Sequence, residues 1–273
     1  MKLSLFGLQT PGTPGDIDAN LAELTAGARA AKARGGEILV TPELFVTGYN
    51  IGDLVFQYAR LDLVGMVQKI AREEGIAIVA GLPEYEAGHF FNTAIFVDEF
   101  GAELGRYRKT HLFGSLDRSS FTAGEQLVST IDYRGVRIAM LICYDVEFPE
   151  TARAVAMMGA HLILVPTAQM VPFEFIAEQV VRARAWENQI YVAYINHAGA
   201  ESDLFYVGRS SIIDPYAAVL DSAVEETRML FAVIDTDIVD SARAANPYLS
   251  DLRPDLYHRP AGPPLLATQP AKG

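Results

Sequence analysis

Cys143, Glu43 and Lys109 are the residues whose types could do covalent chemistry together, and Cys143 is the only cysteine among 273 residues. A thiol supplies a nucleophile, a carboxylate supplies a base that can return its proton, and an ammonium stabilises an oxyanion. Held in one cleft, they are the parts of an acyl transfer that requires no metal or other cofactor. Taken singly, each has a plainer reading. Free cysteines are commonly buried structural thiols, an acidic residue after a strand often caps a helix or stands in solvent, and a lysine at a strand end is ordinarily solvated.

The surrounding elements decide whether the three can meet. Cys143 follows the short apolar run Val136–Ile142, itself behind the turn-like Tyr133-Arg134-Gly135, while Pro149 and Glu150 suit the first turn of the next helix. At such an elbow, nearby N–H groups and positive charge are expected to lower the thiol pKa. Glu43 follows Pro42 at the end of a buried strand, Ile38–Thr41. Lys109 ends the second arm of a hairpin, Phe91–Val97 with Glu103–Arg108, within RYRKTH, which sets three cations beside an aromatic. All three therefore stand at C-terminal strand ends, where open α/β sheets place their chemistry, and strands of one sheet bring such ends together.

The remaining chain alternates in the same way. Lys2–Gln9 reads as a strand and Thr13–Gly35 as a helix with Ile17, Leu21, Leu24, Ala28 and Ala31 on one face; Leu61–Glu74 is a second amphipathic helix stopped by Gly75, and Ile76–Leu82 a strand. Helices Pro149–Met158 and Phe173–Asn188 alternate with strands His161–Val165 and Ile190–Asn196. Arg209–Asp214, Ala218–Asp221 and Met229–Thr236 form a closing antiparallel set, and Asp237–Ala245 a last helix. The class is α/β, with residues 1–252 as one domain and 253–273 as a Pro-rich tail unable to build a packed core.

Composition narrows the function. A formal net charge of −12, with no basic run, argues against a nucleic-acid partner, since phosphate contacts need clustered Lys and Arg. A single cysteine excludes an intrachain disulfide and a cysteine-based zinc site, and fits a reducing compartment, the cytoplasm. MKLSLFGLQT is too short before Pro11 to hold the core of a signal peptide, and no apolar run approaches a membrane span. His89, His111, His161, His197 and His258 show no paired metal-ligand spacing.

Around the three reactive residues the chain resembles the nitrilase superfamily of carbon–nitrogen hydrolases. Thr41-Pro42-Glu43-Leu44 with Thr47-Gly48-Tyr49 is similar to the family's glutamate motif, Tyr107–Phe113 (YRKTHLF) to its lysine motif, and Cys143-Tyr144-Asp145 followed by Phe148-Pro149-Glu150 to its nucleophile motif, in the family's order. The resemblance extends through Gly81–Glu84, Asn92-Thr93-Ala94, the segment ARAWEN at Ala183–Asn188, Asn196 and the segment GRSSIIDP at Gly208–Pro215.

This resemblance implies a four-layer α-β-β-α sandwich, dimerised or assembled further through an α-surface. It also implies a cysteine hydrolase in which Glu43 takes the proton of Cys143, the thiolate attacks an amide carbonyl, and Lys109 with the backbone N–H of Tyr144 holds the oxyanion. Ammonia leaves, and water activated by Glu43 hydrolyses the thioester. Many members carry a second glutamate shortly after the lysine; the matching residue here is Asp117, one methylene shorter. Tyr49, Phe91, Phe113, Tyr144, Gln169, Met170 and Phe173 match pocket positions and equally fit core or loop packing.

True nitrilases typically carry Cys-Trp-Glu at the nucleophile, so Cys143-Tyr144-Asp145 points to the amidase and carbamoylase side and to a small linear amide as substrate. Two departures stand out: Glu147 where the family often has Arg, and Pro215-Tyr216-Ala217 without the usual glycine. The alternatives are an N-carbamoyl amine or amino-acid hydrolase, a Cys-His protease using His111 or His197, and a non-catalytic ligand-binding member.

Overall fold

The computed structural model describes residues 1–127 and 129–257. In chain order the elements are β1 (Lys2–Gln9), α1 (Ile17–Ala33), β2 (Ile38–Val40), α2 (Leu54–Tyr58), α3 (Leu63–Glu74), β3 (Ala77–Glu86), β4 (His89–Val97), β5 (Glu103–Arg108), α4 (Gly114–Ser120), β6 (Thr130–Tyr133) and β7 (Val136–Met140). They continue with α5 (Pro149–Met157), β8 (Leu162–Thr167), α6 (Val181–Asn188), β9 (Tyr191–Asn196), β10 (Ala200–Glu201), β11 (Leu204–Phe205), β12 (Ser211–Ile213), β13 (Val219–Ser222), β14 (Arg228–Asp235) and α7 (Thr236–Ala245).

Two six-stranded sheets result, ordered β14-β1-β2-β3-β4-β5 and β13-β12-β9-β8-β7-β6. Each has a parallel centre, β1-β2-β3 in one and β7-β8-β9 in the other, with antiparallel strands at its flanks. Parallel strands are buried on both faces, which is why they read as continuous apolar runs. In β2, Leu39 packs with Leu24 and Ala28 of α1 and Val67 and Ile70 of α3. Ile38 and Val40, pointing the other way, join Ile138, Met140 and Leu162 of the second sheet, and this core continues to Val155 of α5 and Ala185 of α6. The layers are therefore helices, sheet, sheet, helices, as the resemblance implies.

Several boundaries differ from the sequence reading, for local reasons. Asp16 caps α1 by accepting the Ala19 N–H at 2.9 Å, so the helix begins after Gly15 rather than at Thr13. Asp62 caps α3 through the Gly65 N–H in the same way, moving its start from Leu61 to Leu63. β3 outruns Leu82 because the two-residue turn Ala87-Gly88, both at positive φ, lets Glu86 pair with His89. The helix expected over Phe173–Asn188 contains a π-helical turn at Ile176–Val180 before α6. Ala217, where the usual glycine is missing, takes φ +61°, a backbone region that favours glycine.

The expectation that one sheet carries all three reactive residues is corrected. Glu43 and Lys109 follow β2 and β5 of the first sheet, whereas Cys143 follows β7 of the second. The two C-terminal edges are stitched together by the Glu43 N–H donating to the Thr167 carbonyl at 3.3 Å and by a parallel bridge between Thr10 and His197. Of the expected tail, Pro254–Leu256 is an exposed 3-10 turn, and residues 258–273 lie outside the described residues. No helix among the described residues is long and apolar enough to cross a membrane.

Candidate active site

Strand periodicity separates the three cations of RYRKTH. Tyr107 packs in the core between the sheets, so Lys109, two residues on, enters the interior from the same face. Arg106 and Arg108 alternate to the other face, where both pair with Glu84 and extend to Glu103 and Glu86. Lys109 is 1% exposed, and its Nζ stands 2.8 Å from Glu43 Oε1 and 2.6 Å from Asp117 Oδ2.

Asp117 reaches the lysine despite its short side chain because α4 begins directly after Phe113 and carries it inward. Its Oδ2 also accepts the Phe113 N–H at 2.9 Å, and its Oδ1 accepts the Tyr49 hydroxyl at 2.7 Å. Tyr49 is fixed in turn by Glu201, whose Oε1 accepts the Tyr49 and Asn50 N–H groups.

Glu43 is fully buried, and its Oε1 also accepts from Asn92 Nδ2 at 2.6 Å. Its Oε2 has no hydrogen-bond partner among the described residues. Its backbone is held by His197, whose Nε2 donates to the Glu43 carbonyl at 2.7 Å. Gly81 is required beneath this loop, since a Cβ there would stand 2.6 Å from the Pro42 carbonyl oxygen and 2.9 Å from the Glu43 carbonyl carbon.

The electrostatics follow from burial. Desolvation pushes the Glu43 carboxyl above the usual carboxylate range, with Lys109 acting against it. Desolvation works against the Lys109 ammonium, but Glu43 and Asp117 outweigh it and hold its pKa well above that of an ordinary lysine. For Cys143 the expected lowering is reversed: desolvation, then the Glu43 carboxylate, push the thiol well above its ordinary value, and Lys109 only opposes them. A thiol that is neutral at rest needs a base, and Glu43 Oε2 is a carboxylate oxygen without a hydrogen-bond partner among the described residues.

Cys143 itself stands at φ +44° at the start of a 3-10 turn, Cys143–Glu147, and α5 starts only after that turn. A left-handed residue that is not glycine persists only where its surroundings hold it. Asp145 does much of this: its Oδ2 accepts the Ile142 N–H at 3.1 Å, and its Oδ1 accepts the Thr110 hydroxyl at 2.8 Å and the His111 N–H at 2.9 Å. Arg184 of α6 adds hydrogen bonds to the carbonyls of Val146 and Glu147 at 2.8 and 2.5 Å. Cys143 and Tyr144 open the turn, where helical N–H groups lack intrahelical acceptors.

The other pocket candidates divide. Gln169 Oε1 lies 3.8 Å from Cys143 Sγ, and its backbone N–H is fixed by Asn196 Oδ1 at 2.8 Å. The Tyr144 ring meets Phe113 and Phe148 edge-on, and Phe113 meets Phe173. Tyr144 also lines an open groove of about 420 Å³ with His111, Leu112, Arg118, Ala123 and Phe148. Met170 packs against the apolar cluster that contains Tyr49 and forms an antiparallel bridge with Tyr206. Phe91 does not join them: the Arg108 guanidinium stacks on it at 4.1 Å, and both line a separate groove of about 500 Å³.

Neither histidine of the protease alternative bonds to the thiol, since His111 is engaged by Thr110 and Asp145, and His197 by the Glu43 carbonyl. Asn92 and Glu201 were not singled out as site residues from the sequence. Asn92 left two traces, as part of the Asn92-Thr93-Ala94 segment of the resemblance and as the only amide in a largely apolar strand.

Comparison with known proteins agrees with this fold. Residues 2–244 match the carbon-nitrogen hydrolase family. A protein described as the hydrolase in the pqqF 5' region of Pseudomonas protegens is 42% identical over 262 residues, 94% of this chain and 90% of that protein. An (R)-stereoselective amidase of a Pseudomonas species is 36% identical over 258 residues, 93% of this chain and 92% of that one. Among solved structures, an amidase from Nesterenkonia sp. superposes with a TM-score of 0.86 at 34% identity, covering 93% of this chain and 94% of that one. A mutant of the amidase from Nesterenkonia sp. AN1, with a cysteine replaced by alanine, was solved in complex with butyramide. The chain belongs to the carbon–nitrogen hydrolase family, and its relatives place it among the amidases of the nitrilase superfamily.

Proposed function

We propose that Glu43, Lys109 and Cys143 form the catalytic triad of an amidase that converts a small linear amide to its carboxylic acid and ammonia through a thioester on Cys143. The observation that carries this reading is the division of the Glu43 carboxylate: Oε1 is anchored by Lys109 and Asn92, while Oε2 is buried without a hydrogen-bond partner among the described residues, and the Glu43 charge acts on a thiol that burial keeps protonated. Oε2 takes the Sγ proton as sulfur attacks the carbonyl carbon. The oxyanion is met by Lys109 Nζ and the Tyr144 N–H, and Asp117 and Tyr49 keep the ammonium in place.

The proton then passes from Glu43 to the leaving nitrogen, the C–N bond breaks, and ammonia departs. Water gives a proton to Glu43 and attacks the thioester; the C–S bond breaks and the proton returns to sulfur. Phe113, Tyr144 and Gln169 border the acyl side of the site. The same reading takes residues 1–252 as one catalytic domain and places the enzyme in the cytoplasm on the ground of its single cysteine. It takes the assembly as a homodimer or higher homo-oligomer; Met157 and Met158, exposed at the end of α5, are apolar surface available to such a contact.

A panel of linear amides and N-carbamoyl compounds, followed by ammonia and carbon dioxide release, tests the reading. Ammonia with the matching carboxylic acid is expected, and carbon dioxide from carbamoyl compounds alone would overturn it. The base must be ionised, so kcat/KM is expected to rise with pH through the Glu43 pKa, which lies above the usual carboxylate range. Glu43→Gln is expected to lower kcat/KM by about 10²- to 10⁴-fold and to abolish that acid limb. An acid limb that persists in the variant would assign it to another group.

A further inference from the structure

Glu147 closes the 3-10 turn that Cys143 opens, and its side chain has no role in the chemistry above. Arg184 holds the Glu147 backbone carbonyl but gives its remaining nitrogen, Nη1, to Glu187 Oε1 at 3.0 Å, leaving the Glu147 carboxylate without it. The bond given to that carboxylate is a long one, from Gln169 Nε2 to Oε1 at 3.3 Å, and among the described residues it has no salt-bridge partner. The opposite end of the same Gln169 amide, Oε1, lies 3.8 Å from Cys143 Sγ. A half-buried carboxylate thus stands one carboxamide beyond the nucleophile, with one oxygen uncommitted.

The charge around the thiol is one-sided. Glu43 and Asp117 share the ammonium of Lys109, and Glu147 adds a third carboxylate that makes no salt bridge among the described residues, Lys109 and Arg184 acting on it only from a distance. An acyl chain bonded at Sγ and running past Gln169 brings its far end to Glu147. From this placement we propose that Glu147, steadied by Gln169, is a specificity-determining residue that receives a cationic group on the acyl chain of the substrate, so that the enzyme prefers amides with an ammonium tail and disfavours those with a carboxylate tail. The inference rests on the amidase reading and narrows its substrate class.

Two considerations support it. Burial pushes the Glu147 carboxyl above the usual carboxylate range, with the Gln169 amide the first influence against it, so a cation brought alongside relieves a charge the protein leaves poorly compensated. A carboxylate tail at the same place would set like charges together out of bulk water, which discriminates more strongly than a missing attraction.

The experiment compares butanamide, 4-aminobutanamide and 4-amino-4-oxobutanoate, matched in chain length and differing in terminal charge, by kcat/KM from ammonia release. The wild-type enzyme is expected to take the ammonium-tailed amide at least about tenfold faster than butanamide and the carboxylate-tailed one at least about tenfold slower. Glu147→Gln is expected to reduce the ratio of ammonium-tailed to carboxylate-tailed rates at least about tenfold. The wild-type ranking stands even if the variant folds poorly. A flat or reversed ranking, or a ratio unchanged in a folded Glu147→Gln protein, overturns the assignment of Glu147 while the amidase reading survives. No ammonia from any of the three or from the wider amide panel overturns both.

Discussion

Cys143→Ala is expected to lose at least about 10⁴-fold in amide turnover while keeping the fold. Removing the nucleophile leaves Glu43 with a base's proton affinity and nothing to deprotonate but water, and the carbonyl carbon without a covalent partner. The structural cost is small. The thiol is 7% exposed, the substitution removes one sulfur atom, and alanine meets the same left-handed φ as cysteine. A stability loss of no more than about 1 kcal/mol is expected, read by urea denaturation beside the ammonia assay. Substantial turnover in a fully folded Cys143→Ala protein would remove the thiol from the mechanism.

Lys109→Met is expected to damage both activity and stability. Without the ammonium, Glu43 and Asp117, each fully buried, face one another across the space that Nζ occupied at 2.8 and 2.6 Å. An uncompensated buried charge costs about 3–5 kcal/mol, and losing an oxyanion donor costs a further factor of about 10²–10³ in kcat. The stability loss carries a sign. In the variant, at least one carboxyl has its folded pKa raised above its unfolded value, so its contribution is fully present below the unfolded pKa and is lost as pH rises through the folded one.

The deficit of Lys109→Met against wild type is therefore expected to grow from mildly acidic to neutral pH, and adding Asp117→Asn should recover part of it. Urea denaturation at two pH values checks this. A deficit below about 1 kcal/mol, or one independent of pH, would mean that the carboxylates do not depend on Lys109 in this way.

Much of the scaffold was legible because its signals are local. Ile38–Val40 and residues 162–165 are continuous apolar stretches, as strands buried on both faces must be, and Gly75 ends α3 as expected. The family resemblance, carried by ordered motifs, is borne out by the match over residues 2–244. The short elements α2, α4 and β6 gave weaker patterns and were not anticipated.

The site was legible in its residue types and not in its electrostatics. The sequence reading could name Glu43, Lys109 and Cys143, but it gave them one sheet where two are present, because no pattern along a strand reports which sheet it joins. It lowered the Cys143 pKa through the following helix, whereas the buried environment and Glu43 raise it. It could not foresee that Asp145 holds the nucleophile turn through Thr110 and His111, or that Gln169 links Glu147 to the thiol, since these contacts join residues far apart in the chain.

The central claim, covalent catalysis by Cys143, is tested most directly by acid-quenching the wild-type protein during turnover of butanamide and locating any acyl group by peptide mass spectrometry. A butanoyl group on the peptide containing Cys143, formed as ammonia is released and absent from Cys143→Ala, is the expected result. Ammonia accumulating with every quenched Cys143 peptide unmodified, or an acyl group carried by a different residue, would contradict it.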